Sequence, residues 1–529
     1  MSSIVLQAIT ALAVILFYYR FFRKSSSQNL PPGPKPLPLV GNIRDLPSGD
    51  VPEYKHWIKF KETYGPISSI TVLGSTLVQV HDVQAARELL DHKSTKTSSR
   101  PSSDFAIDLC GFGVLLPTIT YNSTFRLHRK LIHQQLGTKA IAGRFHEIQD
   151  IESRRFLLRV LNDPDNLTTH IKTEASAIIL RITYGYCIEP EKADPLVGLI
   201  ERMMDHFSAA FVPLSWPCDI FPILKHLPDN FPGASFKKTA NKWRAVKDLA
   251  ADTPYSFVEN QLASGTSRPS YVGALIESTG RDTKDGRPSK VDEDAIKNTA
   301  AIIYGGGADT SVSTLTSFIL AMIVFPDVQR KAQEEIDNVI GSARLPVFQD
   351  REKLPYVNAL LQETLRWMPV VPVGTTHVAD EDMSYNGYHI PKGAYLMPAI
   401  WWFLHDPQTY PDPEAFEPAR YLEPRNEPDP GNHAFGYGRR ICPGRYLAED
   451  SLFITISRVL AAFDVRRAVD AQGKEIEVEI AATGGLISHP KKFAYDIKPR
   501  SAKHVDMIRS VEIDHPWEES DAGLLKGFP

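Results

Sequence analysis

The sequence predicts a mainly α-helical protein with small β-sheets, an α+β chain. Three observations carry that expectation. Most of the body reads as helix: 83–90, 125–136, several stretches between 141 and 262, a long run over 292–325, a successor opened by Pro326 and ending near 340, and 354–367. Strand signals are few and short: 64–80 reads as two strands around a Gly74-Ser75 turn, and Asn386-Gly387 marks a hairpin. The composition is that of a globular protein, with 43% hydrophobic and 23% charged residues and a net charge of -4, which gives no reason to expect a nucleic-acid partner. Its 529 residues allow two to four ordinary domains or one large one.

Taken in order, residues 1–19 carry no charged side chain, and 4–22 are mostly apolar. At ~1.5 Å per residue such a run nearly spans a bilayer core of ~30 Å. Arg20, Arg23 and Lys24 follow at once, which keeps the C-terminal side in the cytosol. A cleaved signal peptide would want a basic start and a small-residue cleavage site, and neither is evident. A polar segment then leads into a Pro-rich stretch over 31–38, stiff and extended. Of the four cysteines, Cys110, Cys187 and Cys218 are widely spaced and read as packed thiols.

The run over 292–325 contains three consecutive glycines, Gly305 to Gly307, followed by Asp309, Thr310 and Ser311. Each glycine costs about 1 kcal/mol against alanine in a helix interior, so something should offset them. A locally opened helix with a freed carbonyl would offer a groove, with Asp309 and Thr310 supplying a carboxylate and a hydroxyl. The other reading is a glycine kink with Ser/Thr back-bonds. In 354–367, Pro355 fits a first helical turn, and Glu363 and Arg366 share one face.

The segment 435–444 presents Cys442 behind Gly436 and Gly438, before Pro443-Gly444, and beside Arg439 and Arg440. Glycines permit tight turns and close approach to a flat object. Backbone N–H groups wrapped around a sulfur tune a metal thiolate. Phe435 would cover the loop, and the two arginines would favour the deprotonated sulfur and pair with acidic groups of a cofactor. The alternative is a Gly-rich turn that holds a buried cysteine.

With Phe435, Gly438, Arg440, Cys442 and Gly444 in every fixed position, this segment resembles the haem-binding loop of the cytochrome P-450 family. Further matches follow in the family's order. Gly306, Gly307, Asp309, Thr310 and Ser311 resemble its oxygen-activating motif. Glu363 and Arg366, with Arg420 in 416–421, resemble the segments that form its buried charge network. The resemblance implies a single large haem-enclosing domain with the cytochrome P-450 fold behind an N-terminal transmembrane helix. The implied parts are an anchor over 1–24, a linker over 25–38, a catalytic domain over 39–499 and a charged tail over 500–529 lying outside the core.

It further implies heme b, an iron protoporphyrin IX with Cys442 as axial ligand. Gly306 and Gly307 would let the backbone approach the haem. Arg129, His377 and Arg440 would meet its propionates. Thr310 and Asp309 would deliver protons. Phe125 stands where the family's helix carries a Trp donor, a departure for which Arg126 is the candidate to compensate. Residues 370–375 and the Gly484-Gly485 turn would border the substrate, with Phe105, Ile107, Leu109 and Phe112 as further contacts; Phe207, Phe211 and Trp216 read as core.

With no dinucleotide or flavin fingerprint in the chain, electrons would come from NADPH-cytochrome P-450 reductase on the same membrane, the endoplasmic reticulum. O2 and a lipophilic small molecule would be the substrates. The chain most resembles fungal members of secondary metabolism, which implies a terpenoid, polyketide or indole-type substrate. The rival functions are a reductase-independent isomerase, dehydratase or peroxygenase, and a haem-binding sensor without turnover.

Overall fold

The structure, a computed structural model, describes residues 29–525 apart from 50, 191, 282, 284 and 285. The expected membrane anchor over 1–24 and the start of the linker lie outside the described residues. The chain forms two compact units: residues 1–101, 373–403 and 437–440 make the first, and 102–372, 404–436 and 441–529 the second.

The first unit holds α1 (Glu53–Tyr64) and two small sheets. Strands β1 (Ile67–Val72) and β2 (Ser75–Val80) pair antiparallel through a two-residue turn with Leu73 at φ 48° and Gly74 at φ 86°. Two positive φ values match the right-handed twist of the flanking strands, and place the turn one residue earlier than the Gly-Ser expected. In the same sheet β3 (His377–Val378) joins through the last strand of the unit. The second sheet is the hairpin of β4 (Met383–Tyr385) and β5 (Tyr388–Ile390), turning on Asn386 and Gly387 as their sequence indicates. Strand β6 (Tyr395–Pro398) runs parallel to β2 and antiparallel to β3, giving the order β1-β2-β6-β3.

The sequence reading missed α1, which buries Trp57 and Phe60 on Ile70 and Val72. The Pro-rich stretch is less of a free linker than expected. The carbonyls of Pro31 and Pro32 accept from the Ser69 hydroxyl and N–H at 2.6 and 2.9 Å, so it lies along β1.

The second unit is helical. Its longer members are α2 (Ser123–Leu136), α3 (His146–Asn162), α4 (Leu167–Tyr184), α5 (Pro195–Ala210), α6 (Ser235–Ser264), α7 (Tyr271–Gly280), α8 (Lys290–Val324), α9 (Pro326–Val339), α10 (Pro355–Trp367), α11 (Arg445–Ala462) and α12 (Ala502–Arg509). Strands β7 (Phe463–Arg466) and β8 (Asp496–Pro499) form a small antiparallel pair. Helix α8 is the axis. Among the described residues it is the one helix long and apolar enough to cross a membrane, but its apolar residues are buried in the core, against α4 above all. Its N-terminus is capped by Ser289, whose hydroxyl accepts from the Asp292 N–H. Pro326 starts α9 and Pro355 starts α10, where a missing N–H costs nothing. The Glu335 carboxylate caps α10 by accepting from the N–H groups of Tyr356 and Val357 at 2.8 and 2.9 Å.

The C-terminal residues do not trail outside the core. Ile508 of α12 is fully buried, and Trp517 lies under the guanidiniums of Arg155 and Arg159 at 4.9 and 4.7 Å.

Candidate active site

Cys442 stands two residues before Gly444, the residue that opens α11. Its N–H donates to the Phe435 carbonyl at 2.8 Å, which closes the loop on itself. Phe435 packs against the apolar core of this unit. Burial pushes the Cys442 thiol pKa up, while the Gly444 N–H and the guanidiniums of Arg129 and Arg445 pull it back. Adjacency in sequence pointed instead to Arg439 and Arg440, whose side chains bond Ser94 and Ser98. The Cys442 residue nevertheless keeps accessible surface at that depth. Among the described residues no group of three His, Cys, Asp or Glu side chains could hold a metal. Sulfur, backbone donor and partly accessible surface fit a haem thiolate.

Gly438 owes its identity to the first unit. Its φ is 53°, a Cβ there would collide with the Leu90 carbonyl oxygen, and its N–H donates to Asp91 at 2.5 Å. Gly444 has open space where a Cβ would stand.

Arg129, on α2, donates through Nη1 to the Ile441 carbonyl at 2.8 Å, so it braces the cysteine loop. Burial lowers its pKa, as expected of a guanidinium off the solvated face. Phe125 is buried, edge-on to Tyr121 at 5.7 Å; packing replaces the N–H that a Trp would offer. Arg126, the candidate to compensate, is exposed and lies over the Tyr121 ring.

In the first unit, Arg440 Nε donates to the Ser98 carbonyl at 2.6 Å, and His377 Nδ1 to the Thr97 carbonyl at 2.8 Å. A carbonyl only accepts, so Nδ1 carries the proton. Burial, with Arg100 and Arg440 nearby, holds the His377 pKa well below its usual value. The neutral ring has only an acceptor left at Nε2, and His377 can donate to a propionate only as imidazolium. Arg100 completes this basic cluster, donating to the Thr376 carbonyl and the Thr375 hydroxyl at 2.7 and 2.9 Å. No periodicity marked Arg100; it follows a run of Ser and Thr and precedes Pro101.

The motif on α8 stays α-helical, without the opened turn expected from its glycines. The Thr310 hydroxyl donates to the Gly306 carbonyl, and Ser311 to that of Gly307, each at 2.7 Å. These back-bonds are the alternative that the sequence left open. The three glycines meet different surroundings. A Cβ on Gly305 would strike the Met204 sulfur, and one on Gly307 would meet Ile179 at 2.8 Å. Gly306 alone of the three has nothing within 4 Å. Close helix packing thus explains Gly305 and Gly307, and of the three only Gly306 faces open space.

Ser313, one turn beyond Asp309, donates to the Ser488 carbonyl at 2.6 Å, and the Ser488 N–H donates to Val370 at 2.8 Å. The motif of α8, the segment after α10 and the strand leaving the Gly484-Gly485 turn are thereby fastened together. His489 Nε2 lies 3.2 Å from Asp309 Oδ1, a partner the sequence reading missed. Of the contacts expected in 105–112, Phe105 and Phe112 are fully buried in the core; Phe105 stacks on Trp216 at 3.5 Å.

Glu363, Arg366 and Arg420 meet with no exposed side-chain surface. Glu363 accepts from Arg366 Nε and Nη2 at 2.8 and 2.9 Å, Arg420 Nε at 3.0 Å, the Tyr421 hydroxyl at 2.9 Å and the Glu417 N–H at 2.8 Å. Burial works against the Arg366 charge, and Glu363 outweighs it, leaving the pKa raised.

Fold and site together define a haem-thiolate oxidoreductase. The cytochrome P450 family model matches residues 31–496, and the chain belongs to that family. It is 52% identical to the cytochrome P450 monooxygenase CLM2 of Gibberella zeae, over 98% of both chains. To the multifunctional cytochrome P450 monooxygenase af510 of Aspergillus fumigatus it is 50% identical over 97% of this chain and 96% of the relative. To the O-methylsterigmatocystin oxidoreductase of Aspergillus flavus it is 38% identical over 96% and 94%. Members of the family bind haem b through a cysteine thiolate. The chain is a haem-thiolate monooxygenase, an enzyme that uses O2, a small-molecule substrate and electrons from a redox partner.

Proposed function

We propose that this enzyme hydroxylates or epoxidises a lipophilic metabolite of a fungal secondary pathway, of terpenoid, polyketide or indole type, with Cys442 as the residue that would hold the haem iron. The observation that carries the ligand assignment is the Gly444 N–H on a deep, partly accessible Cys442 flanked by Arg129 and Arg445. The pathway class rests on the relatives, one of them named for O-methylsterigmatocystin. A thiolate-ligated haem supplies the oxidising power to insert one atom of O2 and release the other as water.

The chain's own residues position and protonate. Thr310 spends its hydroxyl proton on the Gly306 carbonyl, which leaves its oxygen free to accept from a water. Asp309, part-exposed beside it, passes protons inward from solvent. Arg129 and Arg440 would receive the propionates, His377 stays neutral beside Arg440, and Gly306 would give the close approach of backbone to the haem. The network of Glu363, Arg366 and Arg420 locks the segment leading into the cysteine loop.

Electrons come from NADPH-cytochrome P-450 reductase, with the enzyme anchored through residues 4–22 in the endoplasmic reticulum and its catalytic domain cytosolic. Four measurements test the proposal. Cys442→Ser should abolish the thiolate band of the reduced carbon-monoxide spectrum; its persistence rejects the ligand. A spin-shift screen against lipophilic metabolites identifies the substrate, and product formed equally well without reductase and NADPH rejects the electron route. Sedimentation of the full chain with microsomes checks the anchor, and recovery in the soluble fraction rejects it.

A further inference from the structure

We propose that His489 is a positioning residue for Asp309, holding one carboxylate oxygen so that the other is aimed for proton transfer. This rests on the reading that Asp309 and Thr310 deliver protons. The geometry is specific. His489 Nε2 stands 3.2 Å from Asp309 Oδ1, and both side chains are partly exposed, 29% and 41%. The backbone around His489 is fixed from several sides. Its N–H donates to the Thr483 hydroxyl at 3.0 Å, and its carbonyl accepts from the Thr483 N–H at 2.7 Å. Ala482 and Pro490 bridge in the same sense, and the Lys491 N–H donates to Ala481 at 2.8 Å. Residues 481–491 are thus a narrow hairpin, with the turn at its tip passing through Gly485 at φ 104°.

That hairpin is stapled to α8 at two successive residues. The Ser488 carbonyl accepts from Ser313, and the His489 ring meets Asp309. Residues 309 and 313 are four apart and share one helix face, so adjacent hairpin residues grip adjacent turns of that face. The buried hydroxyl bond sets the register, and the imidazole then falls on the carboxylate. Asp309 needs such a support. A part-exposed aspartate on a helix has several rotamers, and a relay acid works only in one that faces the next proton carrier. The imidazole edge 3.2 Å from Oδ1 favours one of them and leaves Oδ2 for the relay. Thr310 cannot do this, because its own proton is spent on the Gly306 carbonyl.

The test uses the full-length holoenzyme with reductase and NADPH and no added substrate. The readout is NADPH oxidised in excess of hydrogen peroxide released, the flux that carries O2 through to water and requires delivered protons. His489→Leu should lower this flux about ten-fold, the scale of a misplaced general acid. His489→Gln, which retains an N–H donor, should recover at least half of the native flux. Asp309→Asn should lower the flux as well, and adding His489→Leu to it should cause no further loss. Crystals of ferric His489→Leu should show the Asp309 carboxylate moved or spread over rotamers, and those of His489→Gln should show it in place. An unchanged carbon-monoxide spectrum in each variant confirms an intact cysteine loop.

The outcomes separate the two ideas. A native flux in Asp309→Asn overturns the relay reading and the positioning role with it. A low flux in Asp309→Asn beside a native flux in His489→Leu overturns only the role of His489. So do losses that multiply in the double variant, failure of His489→Gln to recover the flux, or an unmoved carboxylate in the His489→Leu crystal.

Discussion

Glu363→Gln is the sharpest single perturbation of the charge network. Glu363 accepts from four groups: the Arg366 and Arg420 guanidiniums, the Tyr421 hydroxyl and the Glu417 N–H. A glutamine of the same shape offers one acceptor oxygen and turns an amide donor toward groups that also donate. Arg420 retains Glu427 at 2.9 Å, whereas Arg366 is left with the carbonyls of Leu404, Pro413 and Ala415. An unpaired buried guanidinium puts the loss at about 3–5 kcal/mol. Glu427→Gln is the control: Arg420 keeps Glu363, and the loss should be about 1–2 kcal/mol. Urea unfolding followed by circular dichroism reads both, and haem retained per chain reports on the loop. The reasoning fails if Glu363→Gln loses no more than Glu427→Gln, because the carbonyls would then be sufficient company for the Arg366 charge.

Three further outcomes are expected. Burial holds the His81 pKa down to about 4, opposed by a lesser Trp57 backbone bond and assisted slightly by the Lys61 charge. The unfolded chain then binds the extra proton, so stability is full above about pH 6.5 and falls toward pH 4, by about 3 kcal/mol in all; His81→Leu should flatten that part of an unfolding-versus-pH curve, and an unchanged slope would reject the assignment. Gly307→Ala must displace Ile179 and should forfeit the ~1 kcal/mol that alanine gains over glycine in a helix interior, so a thermal midpoint raised by the full amount would contradict that packing. Trp517→Ala removes the ring under two guanidiniums and should cost about 1–2 kcal/mol by urea unfolding, with a midpoint equal to the parent's contradicting a packed tail.

What the sequence disclosed and what it hid divide along a physical line. Local chemistry was legible. Pro326 and Pro355 announce helix starts, Asn386-Gly387 announces a hairpin, and glycines around one cysteine announce a loop built for a ligand. Pairings between distant segments were not. Arg129 was expected at a propionate, and the bond it makes to the Ile441 carbonyl was not foreseen. Arg445 and Arg129 influence the sulfur, while the adjacent Arg439 and Arg440 bond elsewhere. His489 carries no spacing signal at all, since its partner is 180 residues earlier and the register comes from Ser313 and Ser488. The three glycines of α8 look alike in sequence and are separated only by what faces each of them: Met204, open space and Ile179.

The same distinction explains why the charge network uses arginine. Residues 406–415 are irregular backbone after the short helix Ile400–His405, and carbonyls there and at the helix end need donors that no helix or sheet provides. Arg366 donates to Leu404, Pro413 and Ala415, Arg420 to Pro411, Asp412 and Ala415, and Trp367 to Glu414. A guanidinium has five N–H donors in a fixed plane, so one side chain can meet a carboxylate along one edge and carbonyls along the others. Lysine would keep the charge and lose the fan of donors. The role of Glu363 follows, since its carboxylate neutralises two guanidiniums placed there to satisfy the backbone. An apolar replacement of all three side chains would remove the unpaired charge and still strand the carbonyls. For that reason it should remain destabilising here, even though buried ion pairs can often be exchanged for hydrocarbon at little cost.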